Sequence, residues 1–263
     1  MKKKLKIAAW IVFVVMIIAL VFATQNYQRK SLVAKPTIEI SIVDENAFIT
    51  ETELLERLNR ANLYYPNQKV NELHLSRIED AIRKMVEVEN VHVYKRLGGN
   101  WGVKLKVRQP YARVFNQYGE SFYIDSKGKT MKPSPNFTAR VLVISGNIQD
   151  KADTLTVSDI EKDQNLRKIH KLHEMYYLAK VIHDNSFLNA QISQIQRDKW
   201  GDFILIPRVG SQRIILGPAP SLQLVIMKLK KLEIFYEEGL PYVGWNKYKT
   251  INLKFHNQLV CSW

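Results

Sequence analysis

Seventeen residues, Ile7 to Ala23, pass without a charge, and Lys2, Lys3, Lys4 and Lys6 stand immediately before them. No other stretch narrows the choice of architectures as far. At about 1.5 Å per helical residue the run reaches about 26 Å, and with Leu5 and Thr24 it approaches the ~30 Å hydrocarbon core of a bilayer. One transmembrane helix is therefore expected over residues 7–24, after a cytoplasmic stub of residues 1–6. Lysines at the leading end hold that end in the cytoplasm, and Arg29, Lys30 and Lys35 weaken the contrast without reversing it. Everything after Thr24 is then expected on the far side of an inner (cytoplasmic) membrane, crossed once. A cleaved signal peptide is the rival reading, since Val21 and Ala23 are small enough for cutting after Ala23. The apolar run is longer than the ~7–15-residue core of such signals.

About 240 residues follow the anchor, enough for two ordinary domains. The formal net charge is +14, and removing the four leading lysines leaves +10 on the exported part. A surplus of that size often marks nucleic-acid binding, but a polypeptide outside the membrane seldom meets nucleic acid. Anionic lipid headgroups or acidic partner proteins fit better, and a basic surface kept for solubility reads the same way. Cys261 is the only cysteine, which excludes an internal disulfide framework. His170 and His173, three apart on an expected helix, could share a face as metal ligands. They lack a third ligand and read better as a solvated helix face, so neither metal nor cofactor is expected.

Residues 25–36 are polar, aperiodic and closed by Pro36, and read as a linker. From Thr37 to Val43, Ile38, Ile40 and Ile42 alternate with polar residues, the period of a strand with one buried face. The period then changes. Thr50 and Glu53 form a capping box opening a helix whose stripe is Leu54, Leu55 and Leu58, ending near Asn62. Leu75, Ile78, Ala81, Ile82 and Met85 mark a second amphipathic helix. Val91 and Val93 alternate with His92 and Tyr94. Gly98, Gly99 and Asn100 supply a turn, and Val103, Leu105 and Val107 alternate with lysines before Pro110. The fold class is α+β, beginning with two helices laid on a three-stranded sheet over residues 37–110.

Residues 111–263 read as a β-rich domain with helical insertions. A hairpin turns at Tyr118-Gly119, and Asp125 to Gly128 make the next turn, with Asp125 as the turn former. Val141 to Ser145 is a short buried strand. Leu166, Ile169, Leu172, Met175, Tyr176, Ala179 and Ile182 lie at the spacing of one helix. Ile192 to Gln196, Phe203 to Ile206 and Arg213 to Leu216 read as strands. Ser221 opens the last helix, with Leu222, Val225, Ile226, Leu229 and Leu232 on its buried side, and the final strand is Thr250 to Phe255, with a resumption at Leu259.

The sheet-and-helix order, with Val91, Val93, Trp101, Leu105, Val107, Pro110 and Ala112, resembles a POTRA domain. Tyr123-Ile124-Asp125-Ser126-Lys127-Gly128-Lys129 resembles the turn that follows POTRA in the cell-division family FtsQ/DivIB. Ile251-Asn252-Leu253-Lys254-Phe255 is similar to that family's Val-Asp-Leu-Arg-Tyr strand. Asn252 and Lys254 replace Asp and Arg; Lys254 keeps the charge of Arg and loses its bidentate fork. The family often has Glu shortly before the Pro-x-Ala pair, whereas Val107-Arg108-Gln109 precede Pro110 here, so no contact needing that carboxylate carries over. The resemblance implies a non-catalytic membrane scaffold of the divisome that holds the coiled-coil proteins FtsB and FtsL and couples division to septal wall synthesis. It places FtsB on the open edge of the terminal strand, with Ile251, Leu253, Lys254, Phe255 and Trp263 as partner-binding residues, and other divisome proteins on the POTRA module.

No Gly-x-Ser-x-Gly, P-loop, dinucleotide fingerprint or His-Glu-x-x-His occurs. A membrane-anchored wall hydrolase would need paired carboxylates, and Asp and Glu fall here mostly on helix faces and in turns. An outer-membrane assembly or export factor, the other home of POTRA modules, would usually carry several in tandem and a terminal barrel.

Overall fold

The computed structural model describes Trp10 and residues 12–20, 31–42, 49–96, 100–134, 138–153 and 155–263. Trp10 and residues 12–20 are helical with exposed side chains. The rest of the expected span 7–24 lies outside the described residues, as do Gly98 and Gly99 of the expected turn. Among the described residues no helix is long and apolar enough to cross a membrane. The chain divides into two compact units, Met1–Val107 and Arg108–Trp263.

Alternating burial builds the first unit. Strands β1 (Thr37–Ser41), β2 (Val88–Lys95) and β3 (Trp101–Val107) form a sheet in the order β1-β3-β2, with β1 parallel and β2 antiparallel to β3. Helix α1 (Glu51–Arg60) starts where the Thr50 hydroxyl accepts the Glu53 amide at 3.2 Å, and it buries Leu54 and Leu58. The Glu53 carboxylate pairs with Arg57, which also reaches the buried Glu87 at 3.2 Å. Helix α2 (Leu75–Arg83) packs along β2 and buries Ile78 and Ile82 against Val91 and Val93. Burying each such side chain contributes about 1.5–3 kcal/mol.

Two expectations change here. Ile42 falls beyond the end of β1 and is exposed rather than on the buried face. Residues 31–35, expected in a linker, are tied to the unit. Leu32 bridges Lys69, Val33 donates to the Gln68 carbonyl at 2.8 Å, and the Trp101 indole donates to the Ala34 carbonyl at 3.0 Å.

The second unit carries a nine-stranded sheet among the described residues. Its strands are β4 (Pro110–Phe115), β5 (Ser121–Asp125), β6 (Thr130–Met131), β7 (Leu142–Gly146), β8 (Ile192–Arg197), β9 (Phe203–Pro207), β10 (Arg213–Gly217), β11 (Thr250–Asn252) and β12 (Val260–Ser262). Their order is β12-β11-β10-β9-β8-β7-β4-β5-β6. Helices α3 (Val157–Lys162), α4 (Gln164–Ile169), α5 (Leu172–Asp184), α6 (Ser186–Gln191), α7 (Leu222–Ile234) and α8 (Leu240–Val243) complete it. Val114, Ile144, Ile195, Leu205 and Ile214 form one core with Met175, Ile182, Leu229 and Leu232.

The single helix expected over Leu166–Ile182 is two. The Asp150 carboxylate accepts the Lys171 amide at 3.0 Å and contacts His170 Nδ1 at 3.1 Å, and His170 is extended, so α4 ends and α5 begins afresh. Ile226, expected on the buried side of α7, is 49% exposed. The Asp125 turn has the expected form, its Oδ1 accepting the Lys127 and Lys129 amides at 2.9 and 2.8 Å. Its Oδ2 pairs with Arg108 at 3.0 Å, a contact not expected from local sequence.

Candidate partner-binding edge

Ser221 accepts the Leu224 amide and starts α7, whose Lys231 reaches the residues that follow β11. β11 runs parallel to β10, and β12 returns antiparallel on its outer side, pairing Ile251 with Cys261. The terminal strand therefore differs from the one expected over Thr250 to Phe255. It stops at Asn252 because Asn252 Oδ1 accepts the Lys254 amide at 3.0 Å, which turns the chain outward. β11's own edge is occupied by the chain's last residues, and the sheet edge is β12. No described residue hydrogen-bonds its outer side.

The expected contact residues separate into three groups. Ile251 and Leu253 are fully buried in the core, so they hold the strand from within and offer no surface. Lys254 and Phe255 line an open groove of about 270 Å³ with Pro218, Pro220, Leu224, Met227, Lys228, Lys231 and His256. Trp263 lies at the opposite end of the β11–β12 ladder, 72% exposed, with its ring 5.4 Å from Tyr248 and Lys247 Nζ 5.0 Å above it.

Three lysines set the groove's electrostatics. Lys254 Nζ pairs with Asp202 at 2.6 Å and is routed over Gly217, where a Cβ would sit 2.8 Å from its Cγ; φ there is +79°, which also favours glycine. Lys231 Nζ donates to the Phe255 and His256 carbonyls at 2.6 and 3.1 Å, which holds the loop after β11. Lys228 is 5% exposed and donates to the Leu216 and Pro218 carbonyls at 2.8 and 3.0 Å. Burial, reinforced by Lys231, lowers its pKa. The Glu174 carboxylate accepts the Ala219 amide at 3.1 Å and fixes the same turn from α5.

Leu224, Met227, Lys228 and Lys231 were missed by sequence reasoning, although their spacing on α7 marks a second stripe beside the core one. Burial raises the Cys261 thiol pKa, and Cys261 packs partly buried against the core. His170 lies outside α5 and His173 is buried within it, so the two share no helix face. Among the described residues, no group of three His, Cys, Asp or Glu could hold a metal ion.

A three-stranded sheet with two helices, followed by a larger mixed sheet ending in a bare edge strand, defines a two-module α+β protein. The POTRA-like domain model matches residues 35–107, and the model "FtsQ/DivIB, C-terminal related" matches residues 109–262. The chain belongs to the FtsQ/DivIB family, whose domains imply a role in cell division and are generally non-catalytic. No curated protein matches the chain.

Proposed function

We propose that the chain is a non-catalytic, single-pass membrane scaffold of the bacterial divisome. Its N-terminus is cytoplasmic, and its two modules lie outside the membrane and hold FtsB and FtsL through the C-terminal edge, coupling division to septal wall synthesis. The uncharged run from Ile7 to Ala23 behind four lysines supports the placement. The observation that carries the reading is β12, an outer strand paired to β11, together with a basic, partly apolar groove lined by Lys254 and Phe255 just after β11. An extended partner segment adds to such an edge through backbone hydrogen bonds, and neighbouring pockets select its side chains.

Magnitudes divide the work between edge and groove. Two or three added backbone bonds at ~0.5–1.5 kcal/mol each give about 1–4.5 kcal/mol, whereas micromolar binding needs about 8. The groove must therefore supply roughly half or more. Phe255, Met227 and Leu224 offer apolar contact, and Lys231 and Lys254 suit an acidic segment. Confinement of the partners in one membrane raises their effective concentration further.

The test is a pull-down from membranes with the full chain, beside a variant carrying Phe255→Ala and Lys254→Glu, with partners identified by mass spectrometry. FtsB and FtsL are expected with the full chain and depleted with the variant, while circular dichroism stays unchanged. Capture of neither partner by either folded chain contradicts the scaffold reading.

A further inference from the structure

Three methionines lie in the second module, and one of them meets solvent. Met131 and Met175 are 4% and 0% exposed, whereas Met227 is 37% exposed. Helix α7 produces that difference. Val225, Leu229 and Leu232 are fully buried on its core side, while Leu224, Met227 and Lys231 share another stripe and line the groove after β11 with Phe255. A side chain that offers apolar contact to a partner is thus also the one of the three that an oxidant in solution can reach.

Oxidation there changes more than polarity. Among the described residues, Lys228 and Lys231 each bond two backbone carbonyls, and an ammonium carries three donors. One donor is left on each beyond those bonds, and no carboxylate lines the groove with them. A thioether sulfur is a weak acceptor, whereas a sulfoxide oxygen is a strong one. Formed at Met227, that oxygen would answer those donors from inside the groove and compete with the acidic side chains of an incoming segment. It would also replace an apolar wall by a polar, chiral one.

We infer that Met227 is a reversible oxidation site, whose sulfoxide, formed by hydrogen peroxide, closes the groove to its partner. The inference rests on the role given to the groove under the proposed function. The Met227 sulfur attacks one oxygen of the peroxide, and an S–O bond forms as the O–O bond breaks. The departing hydroxide takes up the proton of the transferred oxygen and leaves as water, so sulfur is oxidised and the peroxide reduced. A thiol-dependent methionine sulfoxide reductase reverses the change, the oxygen leaving as water and the thiols ending as a disulfide.

The full chain in detergent is treated with graded hydrogen peroxide, freed of it, and reconstituted in nanodiscs with untreated FtsB and FtsL. Peptide mapping by mass spectrometry reads which methionines have gained oxygen, and capture is titrated. Met227 is expected to oxidise about tenfold or more faster than Met131 and Met175. At the dose that oxidises Met227 and spares those two, capture should weaken about tenfold, with circular dichroism unchanged, and return after reductase treatment. Met227→Leu, measured against its own untreated capture, should lose none at that dose. Met227 oxidising no faster than Met131 and Met175 overturns the inference, as does full capture by chain oxidised at Met227. A loss in Met227→Leu equal to that of the unmodified chain assigns the effect to another residue and overturns it too. An untreated, folded chain that captures neither partner contradicts the scaffold reading, and the inference falls with it; the other adverse outcomes strike the inference alone.

Discussion

The two modules carry their charge in opposite ways. Residues 31–107 hold eleven lysines and arginines against eleven acids, whereas residues 108–263 hold twenty-two against fourteen. In the first module the charges are largely spent on local pairs such as Arg83 with Asp80, Lys104 with Glu39 and Lys106 with Glu89. In the second, Lys228 and Lys231 bond to carbonyls at the groove, and only Lys254 meets an acid there. The basic balance of the whole chain therefore belongs to its N-terminal segment and to the module with the bare β12 edge. The lesson is that net charge locates a partner only after it is divided among modules.

The strongest way to break this comparison is to unfold one module alone. Trp101 is 2% exposed, bonds the Ala34 carbonyl and lies 5.2 Å from the Tyr64 ring. Trp101→Ala should cost about 3–5 kcal/mol, much of a domain's stability, and lower the unfolding temperature of residues 31–107. Calorimetry should show the transition of the second module unmoved; a joint shift of both would show that the modules are not independent.

A smaller effect separates the two modules. Phe255→Ala should weaken FtsB capture about tenfold, about 1.4 kcal/mol, without loss of fold, whereas Lys104→Glu should leave it unchanged. Equal losses in titration calorimetry would place capture elsewhere.

Acid should also reach the modules in sequence. Burial lowers the pKa of His173 below its usual 6.5, and its Nδ1 has no hydrogen-bond partner among the described residues. Between the lowered value and 6.5 the unfolded chain binds more protons, so the second module loses stability as pH falls below about 6.5. Glu79 in the first module has its pKa lowered from 4.5, chiefly by the Val93 amide it accepts, so its contribution is kept above 4.5 and is lost only as pH falls further, through the lowered value. Denaturant titrations at stepped pH should show the second module weakening first, and His173→Leu should remove that early loss.

Least of all, Ile226→Gln should change stability by less than about 0.5 kcal/mol, because Ile226 faces solvent. Leu229→Ala, three positions on and fully buried, should cost about 2–5 kcal/mol.

Where local pattern decides structure, the sequence was readable. Val91, Val93, Val103 and Leu105 announce their strands by alternation, and Thr50 and Ser221 announce their helices by caps. What escaped depends on distant partners. The break at His170 is made by Asp150, twenty residues upstream. A strand resuming at Leu259 was legible, but not that Val260 to Ser262 fold back antiparallel on Thr250 to Asn252. At the candidate site, Lys254, Phe255 and Trp263 were legible only through family resemblance. Lys228 was hidden because nothing local tells a lysine that its ammonium will end on the Leu216 and Pro218 carbonyls. The bond from the Val93 amide to Glu79 was equally hidden, since it spans fourteen residues.

The central claim is that β12 and its groove receive the partner. Hydrogen exchange of the full chain in a bilayer, with and without co-reconstituted FtsB and FtsL, tests it directly. Slower exchange at Val260 to Ser262 and around Phe255, with residues 88–95 unaffected, is the predicted result. Bound partners that leave Val260 to Ser262 exchanging as in the free chain would contradict the account.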